Sequence, residues 1–349
     1  MISEQQIREA VKVVKDPELR KSLVDLGMIR DISVEDDRVT LTLALNILKG
    51  PKKDSLVAEI RKVLGHLPGV SSIEVHLTAM SQTDLEQLFP AQALTGLKRV
   101  KNLLAVASGK GGVGKTTLAI NIALALAREG RRIGLLDADV YGPSVPVMLD
   151  LKEHPAWENN MMIPVEKFDL RIISLGMIAS SEKQAFIWRG PMVGKAIRQL
   201  LGQVLWGELD FLVVDLPPGT GDPSITVAQA IPKGSVLMVT TPQEVALADV
   251  RRAIDLFKEF NLNIVGLVEN MSYFMCGHTS EPIEIFGGGG GAKLSEESGL
   301  PLLGAVPIEL KIGLGGDSGT PLMVSAPDSE TGHIFQNIAR KILEEVDHP

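Results

Sequence analysis

The stretch "LLAVASGKGGVGKTTLAINIALALA", Leu103 to Ala127, limits what this chain can fold into more than any other segment. An apolar run ends at Ala107, a glycine-rich turn follows, and an unbroken helical pattern begins at once. Gly109, Lys110, Gly111, Gly112, Val113, Gly114, Lys115 and Thr116 fall in the spacing GxxxxGK[ST], with Thr117 next in the same helical turn. Glycines here let backbone N–H groups curl around a phosphate, and the helix turns the positive end of its dipole to the same point. In this pattern Lys115 is expected to bridge β- and γ-phosphates, and the Thr116 hydroxyl to bind Mg²⁺. The predicted contacts to a nucleotide are Gly109 to Thr117 throughout.

Two acidic segments suit the same site. "IGLLDADVYGPS" ends an apolar run in Asp137-Ala138-Asp139, and "LDFLVVDLPPGTGD" ends another in Asp215. Carboxylates at the C-terminal ends of strands point into the crevice where an open α/β sheet binds its ligands. Asp215, after four apolar residues, is the expected Mg²⁺ partner, acting through water. Asp139 heads a stretch containing Gly142 and Pro143 and is the stronger candidate for orienting an attacking water. Asp137 either shares that work or is structural, accepting from loop N–H groups. Gly219, after Pro217-Pro218, is placed to offer its N–H to the γ-phosphate. Such a site works by positioning and charge neutralisation, not by covalent chemistry.

From Asn102 onward, short apolar runs alternate with longer helical patterns: Leu103–Ala107, Ile133–Leu136, Ile172–Leu175, Phe211–Val214, Val236–Thr240, Ile264–Val268 and Leu303–Val306. Continuous apolar strands between helices indicate an α/β fold with a mainly parallel sheet covered by helices on both faces. The first part reads differently. A helix over Gln5–Val14, strands over Ile29–Val34 and Val39–Leu45, a helix over Asp54–Leu64 and a strand over Ser72–Leu77 predict a small α+β domain at residues 1–79. Residues 80–98 read as a linker with a short helix at Gln82–Leu88, and residues 99–349 as the nucleotide domain.

Composition excludes several classes of function. A formal charge of −8, no long basic run and only 4% aromatic residues argue against nucleic acid as a partner. No apolar run approaches the ~18 residues of a spanning helix, and the tail "GHIFQNIARKILEEV" carries charge of both signs, so it reads as a helix docked on its domain and not as a membrane anchor. A single cysteine rules out an intrachain disulfide and, with no visible secretory pattern, suggests a cytoplasmic protein.

Taken together, "SGKGGVGKTT", "LLDADVYGPSVP", "WRGPM", "WGELDFLVVDLPPGTGDPS", "VENMS" and "IFGGGGG" resemble the Mrp/ApbC family of P-loop ATPases, relatives of the MinD/ParA group. "DPELRKSLVDLGMIRDI" resembles the iron–sulfur-assembly domain often fused ahead of them. The resemblance covers almost the whole chain. It implies a homodimer with nucleotide near the interface, ATP bound with Mg²⁺ and slowly hydrolysed, and iron–sulfur clusters delivered to apo-proteins. It implies that Asn270 recognises adenine, although on its own Asn270 is an amide at a strand end. Lys110 is either a solvated lysine or, by the resemblance, the lysine that reaches the nucleotide of the facing subunit.

One departure from the family pattern bears on the cargo. Where the family carries CxxC, this chain has Cys276-Gly277-His278-Thr279, and Gly50 stands where many relatives have a cysteine in the first domain. A threonine hydroxyl is a poor ligand for iron in a sulfide cluster. Three readings follow: Cys276 and His278 of two subunits form a four-ligand set for a cluster or for Zn²⁺; Cys276 pairs are completed by an exogenous thiol; or cluster binding is lost and the protein is a nucleotide-switched adaptor. A MinD/ParA-like switch on a surface is the alternative of a different class.

Overall fold

A computed structural model describes residues 2–16, 21–45, 52–80, 95–139, 142–159, 161–179, 190–221, 224–225, 234–276 and 281–347. The chain divides into two compact units, Met1–Ala93 and Leu94–Pro349. Residues 81–94, which hold most of the expected linker and the helix predicted over Gln82–Leu88, lie outside the described residues.

The first unit has the expected order of elements. Helix Glu4–Val11 starts at a capping box, in which Ser3 Oγ accepts from Gln6 N–H and Gln6 Oε1 accepts from Ser3 N–H at 2.9 Å. Strands β1 (Ile29–Glu35) and β2 (Arg38–Leu45) pair antiparallel through the tight turn at Asp36, whose φ is +54°. Helix Lys52–Leu64 then carries the chain to β3 (Ser72–Ala79), which pairs parallel with β2. Ile7, Val11, Leu41, Leu43, Ile60 and Leu64 are among the fully buried residues of its core. Their spacing, period 2 on the strands and 3–4 on the helices, is what made this unit legible.

The second unit is built on β4 (Val100–Ser108), β5 (Ile133–Asp137), a ribbon of β6 (Ala156–Glu158) and β7 (Met161–Ile163), β8 (Val165–Lys167), β9 (Leu170–Ser174), β10 (Leu209–Asp215), β11 (Ser235–Thr240), β12 (Asn263–Glu269), a ribbon of β13 (Phe274–Met275) and β14 (Pro282–Ile283), and β15 (Leu302–Ala305). Its main sheet runs β15-β12-β11-β4-β10-β5-β9-β8. Every neighbouring pair is parallel except β8 with β9. Each of the seven predicted runs falls on a strand of this sheet, with Leu175 and Val306 one residue past the ends of β9 and β15.

Alternate residues of β4 point to opposite faces. Leu104 and Val106 join a core with helix Lys115–Arg128 and the C-terminal helix Glu330–Asp347. Ala105 and Ala107 join another with helices Gly190–Gly202 and Glu244–Glu259. A strand buried on both faces has no solvent side to make polar, which explains its unbroken apolar run. The C-terminal helix buries Phe335, Ile338 and Ile342 against this core, as expected for a docked helix.

Strand β8 was not anticipated. A two-residue turn, Phe168-Asp169, joins it to β9, and both residues have positive φ (+53° and +62°). That geometry is a type I′ hairpin, which is usually announced by Asn-Gly. Phe-Asp does not announce it. Within the residues read as a linker, Thr95–Leu97 forms a 3₁₀ turn, and Thr95 Oγ1 donates to the Gly202 carbonyl at 3.1 Å.

Candidate nucleotide site

The glycine-rich turn leaves the C-terminal end of β4, a central strand, and enters helix Lys115–Arg128 with no side-chain cap. Gly114 holds the N-cap position at φ +78°, and a Cβ there would lie 2.2 Å from Asn270 Nδ2. At Gly109 a Cβ would come within 2.3 Å of the Asp249 backbone, because helix Glu244–Glu259 passes close behind. Both glycines are therefore demanded by the fold around the loop as well as by any phosphate.

Lys115 turns inward. Its side chain is 6% exposed, and its ammonium donates to Asp215 Oδ1 at 2.5 Å, with Asp139 Oδ2 at 4.0 Å. Thr116 Oγ1 donates to the other oxygen, Asp215 Oδ2, at 2.6 Å. One fully buried carboxylate thus joins the first two residues of the helix to the end of β10. Burial pushes the Asp215 carboxyl up, and the Lys115 ammonium, followed by the Thr116 hydroxyl, pulls it back. Hydroxyl and carboxylate oxygens side by side are the hard donors Mg²⁺ takes.

Asp137 has other partners. Oδ1 accepts from Asp139 N–H at 3.1 Å, while Oδ2 accepts from Val145 N–H at 3.3 Å and from the Ser174 hydroxyl at 2.8 Å. This favours the structural role for Asp137. Burial, and then the like charge of Asp215, push its carboxyl up to about 7. Asp139 Oδ2 stands 4.0 Å from the Lys115 ammonium, and its side chain is 14% exposed. Asp139→Asn is expected to slow ATP hydrolysis by about 100-fold while nucleotide affinity changes little. Phosphate release and equilibrium binding measured on the same preparation check this, and unaffected turnover moves the water-orienting role elsewhere.

Two expected contacts are otherwise engaged in this conformation. Asn270 Nδ2 donates to the Val113 carbonyl at 2.8 Å, tying the end of β12 to the loop. The Gly219 N–H donates to the Ser108 carbonyl at 2.9 Å, so sensing a γ-phosphate through it requires that bond to open. The Lys110 carbonyl accepts from Ser108 Oγ at 3.0 Å, and Thr117 lies in the first helical turn, where its carbonyl accepts from Asn121.

Cys276 is a half-buried free thiol immediately after β13. His278 and Thr279 lie outside the described residues, as do Trp188 and Arg189. Among the described residues, no three His, Cys, Asp or Glu side chains converge on a metal position. Nor is any described helix long and apolar enough to cross a membrane. Gly290 and Gly291 begin helix Gly290–Ser298 against Pro242 and Glu269. The buried Glu269 carboxylate accepts from Gly291 N–H and from the Ser272 hydroxyl. Gly290 and Gly291 thus serve close packing, whereas Gly287 and Gly289 take positive φ (+82° and +73°) in open space.

Ser174 and the Val113 carbonyl are the site groups that reasoning from sequence missed. Both depend on which strands are neighbours, and no spacing along the chain carries that.

Comparison with known proteins places this geometry. The family described as NUBPL iron-transfer P-loop NTPase matches residues 99–343, and the iron–sulfur cluster assembly protein family matches residues 4–76. The iron–sulfur cluster carrier protein of Synechocystis is 42% identical over 99% of this chain and 98% of its own. The iron–sulfur cluster transfer protein NUBPL of Dictyostelium discoideum is 46% identical over 74% of this chain and 80% of its own. Among solved structures, a nucleotide-binding protein from Archaeoglobus fulgidus in complex with ADP superposes with a TM-score of 0.61 and 32% identity, over 70% of this chain and 96% of that one. The cell-division ATPase MinD of Pyrococcus furiosus, at 21% identity, shares the fold with a TM-score of 0.52, over 70% of this chain and 98% of that one. The chain belongs to the iron–sulfur cluster carrier family of P-loop NTPases, with an iron–sulfur cluster assembly domain ahead of the nucleotide domain.

Proposed function

We propose that this protein is a homodimeric ATPase that carries iron–sulfur clusters to apo-proteins, with slow Mg²⁺-dependent hydrolysis timing release. The observation that carries the proposal is the Lys115–Asp215–Thr116 triangle behind the glycine loop. It holds a charge set matched to a nucleotide triphosphate and its metal. Thr116 and Asp215, the latter through water, would hold Mg²⁺, which when bound offsets phosphate charge. Lys115 has its ammonium already at the loop, and Asp139 is placed to hold a water. Asn270 exchanges the Val113 carbonyl for the adenine edge.

Cargo handling is assigned to Cys276, because relatives matching nearly the whole chain are named as cluster carriers. One specific observation favours a second reading, a metal-free adaptor of the same pathway: the chain has a single cysteine. Anaerobic reconstitution with iron and sulfide separates the two. A MinD/ParA-like surface switch is tested by pelleting with anionic liposomes and ATP, and the docked terminal helix predicts no ATP-dependent pelleting.

The dimer is tested through Lys110. Lys110→Ala is expected to reduce turnover by about 100-fold, less than an arginine finger supplies because lysine is a point charge and not a fork. Nucleotide affinity of the monomer should stay within about threefold, since the cradle itself is untouched. Equal loss of binding and hydrolysis would place Lys110 on its own subunit's nucleotide.

A further inference from the structure

Asp137 cannot orient itself. The terminal torsion of an aspartate is broad and roughly two-fold, so the direction of its carboxylate is set by its partners. Two of those partners are backbone N–H groups, at Asp139 just past β5 and at Val145 where the next short helix begins. The third is the Ser174 hydroxyl, on the neighbouring strand.

Ser174 ends β9, is fully buried, and lies opposite Asp137 in the parallel register of β5 and β9. Its hydroxyl donates to Asp137 Oδ2 at 2.8 Å and accepts from Gly176 N–H at 3.0 Å. The turn it stabilises lies against the same stretch, since a Cβ on Gly176 would stand 2.7 Å from Pro143 Cβ. The end of β9 therefore supports this stretch twice, through the hydrogen bond from Ser174 to Asp137 and through the packing of Gly176 on Pro143.

We propose that Ser174 is a positioning residue for ATP hydrolysis, holding the Asp137 carboxylate in the one orientation that fixes the backbone at Asp139. Ser174 is fully buried, and its hydroxyl meets the Asp137 carboxylate and the Gly176 N–H. It acts through Asp137, and Asp137 through the Asp139 N–H. The inference rests on Asp139 being the water-orienting group of the proposed ATPase. It predicts loss in kcat without loss in binding, because the glycine loop, Lys115 and Thr116 have no contact with Ser174 in the site described above.

The test is Ser174→Ala in the full-length protein. Turnover should fall about tenfold, equivalent to one hydrogen bond's worth of positioning, with KM for ATP within about twofold. Amide hydrogen exchange at Asp139 and Val145 should quicken at least about tenfold while Lys115–Thr117 keeps its wild-type rate. Ser174→Thr, which returns a hydroxyl, should restore both. In an Asp137→Asn background, Ser174→Ala should cost nothing further, because the two residues act as one unit. Wild-type kcat in Ser174→Ala, or additive losses in the double variant, overturns the proposal. An inactive wild type sinks the ATPase reading instead; exchange then decides the clamp alone, and unchanged exchange at Asp139 overturns it.

Discussion

Lys115→Ala should lower ATP turnover by at least ~1,000-fold, the largest effect of any single substitution in the nucleotide site. The side chain is 6% exposed and its ammonium sits between Asp215 and Asp139, so truncating it removes a positive charge that no other group at these two carboxylates replaces. The same burial adds a second effect. Without the cation, Asp215 is a fully buried carboxylate with only the Thr116 hydroxyl to support it. Stranding a buried charge costs roughly 3–5 kcal/mol, and the site escapes part of that by taking up a proton. Burial already pushes this carboxyl above its ordinary value, and removing Lys115 pushes it further. A carboxyl raised in the folded state binds more protons there than in the unfolded chain, so stability falls as pH rises above the unfolded value near about 4. The variant should therefore lose more thermal stability at pH 8 than at pH 5. Phosphate release and thermal unfolding at both pH values check the pair of effects. Wild-type turnover in the variant would refute the site; an equal loss of stability at both pH values would mean that Asp215 is not the stranded group.

How much of this was legible follows from which interactions are local. The glycine loop, the helix start at Lys115 and the strand ends at Asp137 and Asp215 are each encoded by a few neighbouring residues, and the structure has the helix start and the strand ends where they were read. The first unit was legible for the same reason, since its amphipathic periods belong to single elements. Strand order is not local. Nothing along the chain says that β9 lies beside β5 or that Asp137 and Ser174 share a register, so the partner that orients Asp137 emerged only from the sheet. The engagement of Asn270 by Val113, across 157 residues of sequence, was hidden in the same way. Strand β8 was missed for a different reason: Phe168-Asp169 adopts a turn that its side chains do not favour.

Cys276→Ala should remove all specifically bound iron and sulfide from the reconstituted protein. The argument rests on ligand supply. Thiolates are the ligands iron–sulfur clusters take by default, and this chain has one. A cluster shared by two copies then has two cysteine ligands at most, and among the described residues no group of three His, Cys, Asp or Glu side chains offers a ready-made alternative site. Losing Cys276 leaves no thiolate ligand in either chain. His278→Ala distinguishes the remaining sources: loss of cluster assigns the other two positions to the histidines, whereas retention with bound glutathione or dithiothreitol assigns them to an exogenous thiol. ATP turnover should persist in Cys276→Ala, because the thiol lies outside the Lys115–Asp215–Thr116 triangle. Iron and sulfide per dimer, measured anaerobically beside phosphate release, test both halves at once. A wild type that binds neither iron nor sulfide but hydrolyses ATP would make this chain an ATP-driven adaptor that has kept the family's nucleotide switch and given up its cargo.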